Sequence, residues 1–176
     1  TDGGTIVNGF PRESSVAIEI AGVRTNFRMP DVLSIALGGG SIVRVSPLTI
    51  GPDSVGYFLL DDALVFGGDT LTTTDISVYA GTAALGDGVQ EPSLDAKLAA
   101  DGLSLIDSRL AEIIDQLKLS AADVPVILVG GGSILVSDSL EGASEVIRPN
   151  HGEVANAIGA AMAQVGGQVE KVYSLV

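Results

Sequence analysis

Three glycine clusters, each entered by an apolar run and followed by a hydroxyl or carboxyl side chain, are the features best suited to hold a ligand. Glycine permits positive φ and lets a ligand approach main-chain N–H groups closely, so such turns suit a flat or anionic molecule. The clusters line one phosphate-binding cleft, or they are only tight turns in a chain with 23 glycines in 176 residues. They are Gly38, Gly39 and Gly40 before Ser41; Gly67 and Gly68 before Asp69; and Gly130, Gly131 and Gly132 before Ser133.

Three aspartates and the single histidine are the candidate catalytic and metal-binding side chains. Asp2, Asp69 and Asp75 stand beside glycine or threonine at predicted element ends, where a carboxylate can hold Mg²⁺ through water. Asp2 and Asp69 are candidate metal ligands, and Asp2 and Asp75 are candidate catalytic groups. Asp75 has a second interpretation as a first-turn acid that stabilises the dipole of a helix starting near Thr73. His151 is a candidate acid or base, or a surface residue at a helix entry.

Composition excludes several classes of function. The net charge of −13, from 22 acidic and 9 basic residues, opposes nucleic-acid binding. Without cysteine there is no disulfide, thiolate metal site or cysteine nucleophile, and one histidine cannot form a multi-histidine zinc centre. No stretch has the roughly 18 apolar residues of a membrane span, and no signal pattern opens the chain, so we expect no membrane contact and a cytoplasmic location.

The first part of the chain predicts a β-meander. Strands are expected at Thr5–Asn8, Ser15–Ile20 and Val23–Arg28, with turns through Gly9–Arg12 and at Ala21–Gly22, because apolar and polar residues alternate there. Pro30 ends this segment, residues 31–36 lead into the first glycine cluster, and a short strand at Ile42–Val45 follows the cluster.

The second part predicts helices. A helix capped by Thr73 or Thr74 is expected to close at Gly86, and a long amphipathic helix covers about Ser93–Leu119. The apolar run Val124–Val129 predicts a strand buried on both faces, and Glu145–Arg148 a further strand. A slender, alanine-rich helix over about Glu153–Val165 begins at an Asn150/Glu153 capping box. We therefore predict one domain over residues 1–176, α/β (mixed α+β), with an N-terminal β-meander and helices in the second half.

The order of these motifs resembles the hydantoinase/oxoprolinase family. Thr1-Asp2 is similar to the end of that family's central phosphate loop, Leu37–Val43 to its Gly-Gly-Gly-Ser-Ile segment, and residues 51–56 to its Gly-Pro-x-Ser-x-Gly stretch. Residues 71–76 resemble its Thr-x-Thr-Asp helix start. Val126–Ser133 resembles the adenosine loop of the superfamily of sugar kinases, actin and heat-shock ATPases, and His151–Gly159 the family's closing helix motif.

The resemblance implies a ribonuclease-H-like, actin-like ATPase lobe, the second lobe of a longer two-lobed enzyme that opens cyclic amides such as hydantoins or 5-oxoproline with ATP and Mg²⁺ or Mn²⁺. It implies that Gly130, Gly131, Gly132 and Ser133 hold the adenosine, and that Gly38, Gly39, Gly40 and Ser41 shape the cleft floor. The implied partners are a missing N-terminal lobe, a second subunit and the cyclic-amide substrate, with a homo-oligomer left open. We expect the chain alone to be inactive. Two alternatives remain, a fragment of an ATP-dependent ketone carboxylase and a non-catalytic assembly module.

Overall fold

A computed structural model describes residues 1–14, 19–20, 23–24 and 29–163. Short strands dominate the first third of the chain and helices the middle. The strands are β1 (Asp2–Gly4), β2 (Ile6–Val7), β3 (Phe10–Pro11), β4 (Glu19–Ile20), β5 (Val23–Arg24), β6 (Val32–Ser34), β7 (Ser41–Val45), β8 (Leu48–Ser54), β9 (Val124–Ile127) and β10 (Ala143–Ile147). The α-helices are α1 (Leu59–Asp62), α2 (Thr73–Tyr79), α3 (Ala96–Leu117) and α4 (Ala155–Met162), and 3₁₀ helices cover Gly56–Phe58, Leu64–Phe66, Gly131–Leu135 and Gly152–Val154.

The N-terminal strands pair as the meander prediction requires, with one change of boundary. β2 and β3 form a hairpin whose turn is Asn8-Gly9, with φ of 53° and 83°, values that suit this dipeptide. Phe10 and Pro11 therefore already belong to a strand, and the prediction of a turn through Gly9–Arg12 is wrong. β4 and β5 pair on either side of residues 21–22, as predicted. Residues 15–18 and 25–28, also predicted as strand, lie outside the described residues.

The first glycine cluster leads into a longer hairpin than the sequence predicts. β7 confirms the strand expected at Ile42–Val45, and it pairs antiparallel with β8, which sequence reasoning missed. β1 pairs antiparallel with β6, so the chain start lies beside the segment that enters the cluster.

Two helices form the centre of the described structure. α2 ends at Tyr79 because Gly81 takes a left-handed φ of 74°, so the prediction that Gly86 closes this helix is wrong. α3 confirms the long amphipathic helix with slightly shorter ends, and Asp95 caps it by accepting a hydrogen bond from the Leu98 N–H. Helix α2 packs against α3. Gly102 of α3 allows this approach, since a Cβ there would lie 2.6 Å from Cδ1 of Ile76.

The C-terminal part differs most from the prediction. β9 and β10 pair in parallel, but Ile127 and Val129 are about half exposed, so the expectation that Val124–Val129 is buried on both faces is wrong within the described residues. The final helix is shorter than Glu153–Val165 as far as it is described, and it has no side-chain cap, so the Asn150/Glu153 capping box is also wrong. Residues 164 and 165 lie outside the described part.

One apolar core joins these elements. It contains Leu37, Val43, Ile50, Ile76, Ile106, Leu110, Leu135, Val136 and Leu140. The segments that flank the first glycine cluster, α2, α3 and the segment after the third cluster all contribute to it, so burial of apolar surface fixes these segments relative to one another. Among the described residues, none of the helices has the length and apolar character needed to cross a membrane.

Candidate nucleotide-binding site

The third glycine cluster forms an open main-chain edge after β9. Gly130 has φ of 82° and precedes the 3₁₀ helix Gly131–Leu135. A Cβ added to Gly130, Gly131 or Gly132 would meet no atom of the described residues within 4 Å. The N–H groups of Gly131 and Gly132 lie in the first turn of a helix, where no intrahelical acceptor exists. Within the described part of the chain, the space above this loop is therefore open, and these two amides have no recorded acceptor.

The predicted histidine lies beside this loop. Gly130 N–H donates to the carbonyl oxygen of Gly152 at 2.7 Å, which joins the third cluster to the turn that carries His151. His151 is exposed and has a left-handed φ of 62°. Gly152 is buried, and a Cβ there would come within 3.2 Å of the carbonyl oxygen of Leu128, so glycine favours this close contact. The structure thus brings Gly130 and His151 together, as one candidate site requires.

Two of the three glycines of the first cluster are packed against protein, whereas a Cβ on Gly38 would meet no atom of the described residues within 4 Å. A Cβ on Gly39 would lie 2.8 Å from Oγ1 of Thr74, and one on Gly40 would lie 2.9 Å from Oγ of Ser54. Ser41 is buried, and its hydroxyl accepts a hydrogen bond from the Gly38 N–H at 3.0 Å. Internal packing therefore accounts for glycine at positions 39 and 40 and for the Ser41 hydroxyl, and a role of this cluster in cofactor binding stays a prediction.

Threonine hydroxyls at the start of α2 hold this first cluster in place. Thr73 Oγ1 donates to the carbonyl oxygens of Gly38 and Gly39, and Thr74 Oγ1 donates to that of Gly39 at 2.9 Å. The 3₁₀ helix of the third cluster also packs against α2. Helix α2 therefore contacts both the first and the third glycine cluster. Sequence reasoning considered Thr73 and Thr74 only as caps, and the true N-cap is Thr72.

Asp75 supports the start of α2 from within. Its carboxylate is fully buried and accepts three hydrogen bonds, from Val65 N–H at 2.8 Å, Thr72 N–H at 2.6 Å and Thr72 Oγ1 at 2.8 Å. This geometry is the helix-start role that the sequence offered as the second interpretation. A direct catalytic role of Asp75 stays a prediction, and the carboxylate has no exposed surface with which to contact a substrate.

The two candidate metal ligands are exposed and have different hydrogen-bond partners. Asp2 accepts a hydrogen bond from Ser34 Oγ at 2.5 Å, and Asp69 accepts one from Thr70 Oγ1 at 3.3 Å. Within the described ranges, no group of three or more His, Asp or Glu side chains is placed to hold a metal ion. Each aspartate could contribute a single ligand at most, which suits Mg²⁺ only where a substrate phosphate supplies further oxygens.

The second glycine cluster is also explained by close packing. Gly67 has φ of 92°, and a Cβ on Gly68 would come within 2.1 Å of the carbonyl oxygen of Asp62. Only glycine fits this approach of two main-chain segments. Packing therefore explains Gly68 of this cluster, whereas the third cluster is the one in which a Cβ on any of the three glycines would meet no atom of the described residues.

Comparison with known protein families decides the assignment. The sequence model described as hydantoinase/oxoprolinase matches residues 1–99, more than half of the chain. The chain belongs to the hydantoinase/oxoprolinase family. The resemblance found in the motifs up to the start of α3 is thereby confirmed. A search of curated proteins finds no match.

The matched range separates two parts of the candidate site in this hydantoinase/oxoprolinase family member. Residues 1–99 include Asp2, the first two glycine clusters and Asp75. The Gly130 loop and His151 lie beyond residue 99, so their assignment depends on the motif resemblance and on the geometry described above. The fold that the structure shows is a mixed α/β arrangement of small sheets and helices.

Proposed function

We propose that this chain supplies the nucleotide-binding lobe of an ATP-dependent cyclic-amide hydrolase, with an actin-like arrangement of its core and with a first lobe and a second subunit as partners. Family membership supports a hydrolase that acts on cyclic amides, and the open main-chain edge at Gly131–Gly132 is the observation that carries the nucleotide-binding role. Exposed amides at the start of a helix favour a phosphate or ribose oxygen whatever the net charge of the protein.

Some residues of the proposed site contact the nucleotide, and others hold the loop in position. Gly131 and Gly132 donate N–H groups to the nucleotide, and Ser133 adds a hydroxyl. Gly152 fixes the loop through its hydrogen bond with Gly130. His151 stands at the mouth of the site as an acid or base. Bound ATP with Mg²⁺ would supply the phosphoryl group that activates the amide oxygen, with release of ADP, and the water that opens the ring would release that group as inorganic phosphate. Asp2 or Asp69 would contribute one oxygen to the metal.

The test is a titration of the protein with ATP and Mg²⁺. Binding is monitored by ligand-observed NMR, because we expect a single lobe to bind ATP weakly and this method detects weak binding. Gly131→Val is the decisive variant, since the new side chain meets no protein atom and reaches into the space that the nucleotide needs. We expect the wild-type chain to bind ATP weakly and the variant to lose binding while unfolding at the wild-type temperature.

Gly86→Val is the matched control, because its Cβ also meets open space and it lies in a loop outside the candidate site. It should leave ATP binding unchanged. Equal binding by wild type and Gly131→Val would refute the nucleotide site, and ATP-dependent amide hydrolysis by the chain alone would refute the requirement for another lobe.

A second candidate function, a non-catalytic assembly module, is favoured by one observation. Internal packing alone explains glycine at positions 39, 40 and 68. Under this interpretation the chain binds no nucleotide, and Gly131→Val behaves as wild type in every assay, so the same titration separates the two.

A further inference from the structure

An apolar cavity with a charged rim lies between α3 and the strands β6 and β8, and no residue of the Gly130 loop lines it. Its volume is about 440 Å³, within the range of about 300–1,000 Å³ typical of small-ligand sites. Its apolar lining includes Leu33, Ile35, Ile50 and Ile113. Arg109, Glu112 and Gln116 of α3 also line it, and because they are more exposed than Ile50 and Ile113 we call them its rim.

Arg109 differs from five other basic side chains for which the structure describes contacts. Arg12, Arg44, Lys97, Lys118 and Arg148 each form an ion pair with an aspartate at 2.5–2.8 Å. Among the described residues, Arg109 has no carboxylate within 4 Å, although the protein is strongly acidic. Its Nη1 donates to the Ile50 carbonyl at 2.7 Å, which directs the guanidinium toward the cavity wall. The remaining N–H donors are available to a ligand.

The charges on the rim limit the chemistry of that ligand. A half-buried guanidinium beside apolar walls favours a carboxylate, which it can bind with two N–H groups. Glu112 is exposed, lines the same cavity and lies beyond ion-pair distance from Arg109. A purely anionic ligand is repelled by Glu112, whereas a ligand that also carries an ammonium group pairs with both charges.

We propose that this cavity binds a small zwitterion with an apolar body, namely a free α-amino acid with an aliphatic side chain. The ligand carboxylate pairs with Arg109, the ammonium group pairs with Glu112, and the side chain packs against the partly exposed Leu33 and Ile35. This site is separate from the nucleotide edge and does not depend on the proposed ATP-binding function.

The test compares three probes by calorimetry on the 176-residue chain. They are L-leucine, 4-methylpentanoate without the ammonium group, and 3-methylbutylamine without the carboxylate. We expect L-leucine to bind with a dissociation constant on the order of 0.1–1 mM, as befits a small ligand with two charge contacts. Each single-charge probe should bind about tenfold more weakly or worse.

Variants assign each charge. Arg109→Gln should weaken the binding of L-leucine and 4-methylpentanoate about tenfold or more, because the guanidinium that binds the carboxylate of each ligand is removed. Glu112→Gln, at an exposed position, should weaken L-leucine yet strengthen 4-methylpentanoate, because a like charge is removed. Arg148→Gln is the matched control and should change neither affinity, since Arg148 pairs with Asp138 at the surface.

The outcomes are distinct from those of the nucleotide titration. Gly131→Val should leave L-leucine binding unchanged even where it abolishes ATP binding. The proposal is overturned if no probe binds at concentrations of about 10 mM, far above the expected dissociation constant. It is also overturned if Arg109→Gln, folded as judged by circular dichroism, binds L-leucine like the wild type, or if Glu112→Gln affects both carboxylate probes equally.

Discussion

Replacing Asp75 by asparagine tests the role of this buried carboxylate at the start of α2. Oδ1 accepts from Val65 N–H, and Oδ2 accepts from both Thr72 N–H and Thr72 Oγ1. Asparagine keeps one acceptor oxygen and puts an NH₂ group in place of the other. Whichever way the amide is turned, one backbone N–H then faces another donor inside the protein, while the Thr72 hydroxyl can rotate.

The magnitude follows from that count. One buried backbone donor left without an acceptor costs about 1–3 kcal/mol, and the remaining hydrogen bonds lose the assistance of a full charge. We therefore expect Asp75→Asn to lower the free energy of unfolding by about 2–4 kcal/mol, a large share of the roughly 5–15 kcal/mol available to a domain.

Asp95→Asn provides the matched control, because Asp95 also begins a helix but is exposed and accepts only the Leu98 N–H at 3.0 Å. Asparagine and aspartate are nearly equal N-caps, so this change should cost about 0.5 kcal/mol or less. Urea unfolding followed by far-UV circular dichroism at neutral pH measures both. A difference below about 0.5 kcal/mol between the two variants would refute the assignment of Asp75 as a buried structural carboxylate.

Two further predictions test packing and electrostatics elsewhere. Gly68→Ala should lower the free energy of unfolding by about 1–3 kcal/mol in the same urea assay, because its Cβ would meet the Asp62 carbonyl oxygen at 2.1 Å. Burial raises the pKa of Asp107 above 3.8, although the Ser137 hydroxyl partly offsets this. The stability that the protonated Asp107 contributes is complete below 3.8 and is lost as pH rises through the raised pKa, so Asp107→Asn should gain stability relative to wild type over that window.

Both predictions, for Gly68→Ala and for Asp107→Asn, have a control and a result that would contradict them. Gly86→Ala adds a Cβ in open space, and a cost equal to that of Gly68→Ala would remove the steric argument. For Asp107→Asn, unfolding is measured in acid and at neutral pH. A constant difference from wild type across that range would mean that burial does not penalise the charge of Asp107.

The helices and strands of this fold can be predicted from the sequence only where apolar residues recur at a regular spacing. The buried residues Ala99, Gly102, Ile106, Leu110 and Ile113 recur every three or four residues, so α3 is predictable from periodicity alone. β8 is not, because Gly51 and Pro52 interrupt its sequence and such residues normally argue against a strand interior. The end of α2 depends on the backbone conformation of Gly81, which composition does not specify.

Asp75 and Arg109 show why the environment of a side chain is harder to predict than its element. The sequence places Asp75 in a first helical turn, but its third donor is Val65, ten residues earlier, and that contact exists only after the chain folds. Likewise, nothing in the sequence indicates that Arg109 lacks an aspartate partner, whereas Arg12, Arg44, Lys97, Lys118 and Arg148 each have one. Both properties arise from tertiary packing rather than from spacing.

The three glycine clusters differ in what surrounds their glycines. They share one sequence pattern, yet the structure gives each a different physical reason for glycine. Gly39 lies against a threonine hydroxyl and Gly68 against a backbone carbonyl, whereas Gly131 faces free space. A glycine that packing does not require, in a loop whose amides lack partners, is the one that a ligand can explain. Gly131 is therefore the position at which a substitution tests nucleotide binding most directly, whereas Gly39 and Gly68 are explained by packing.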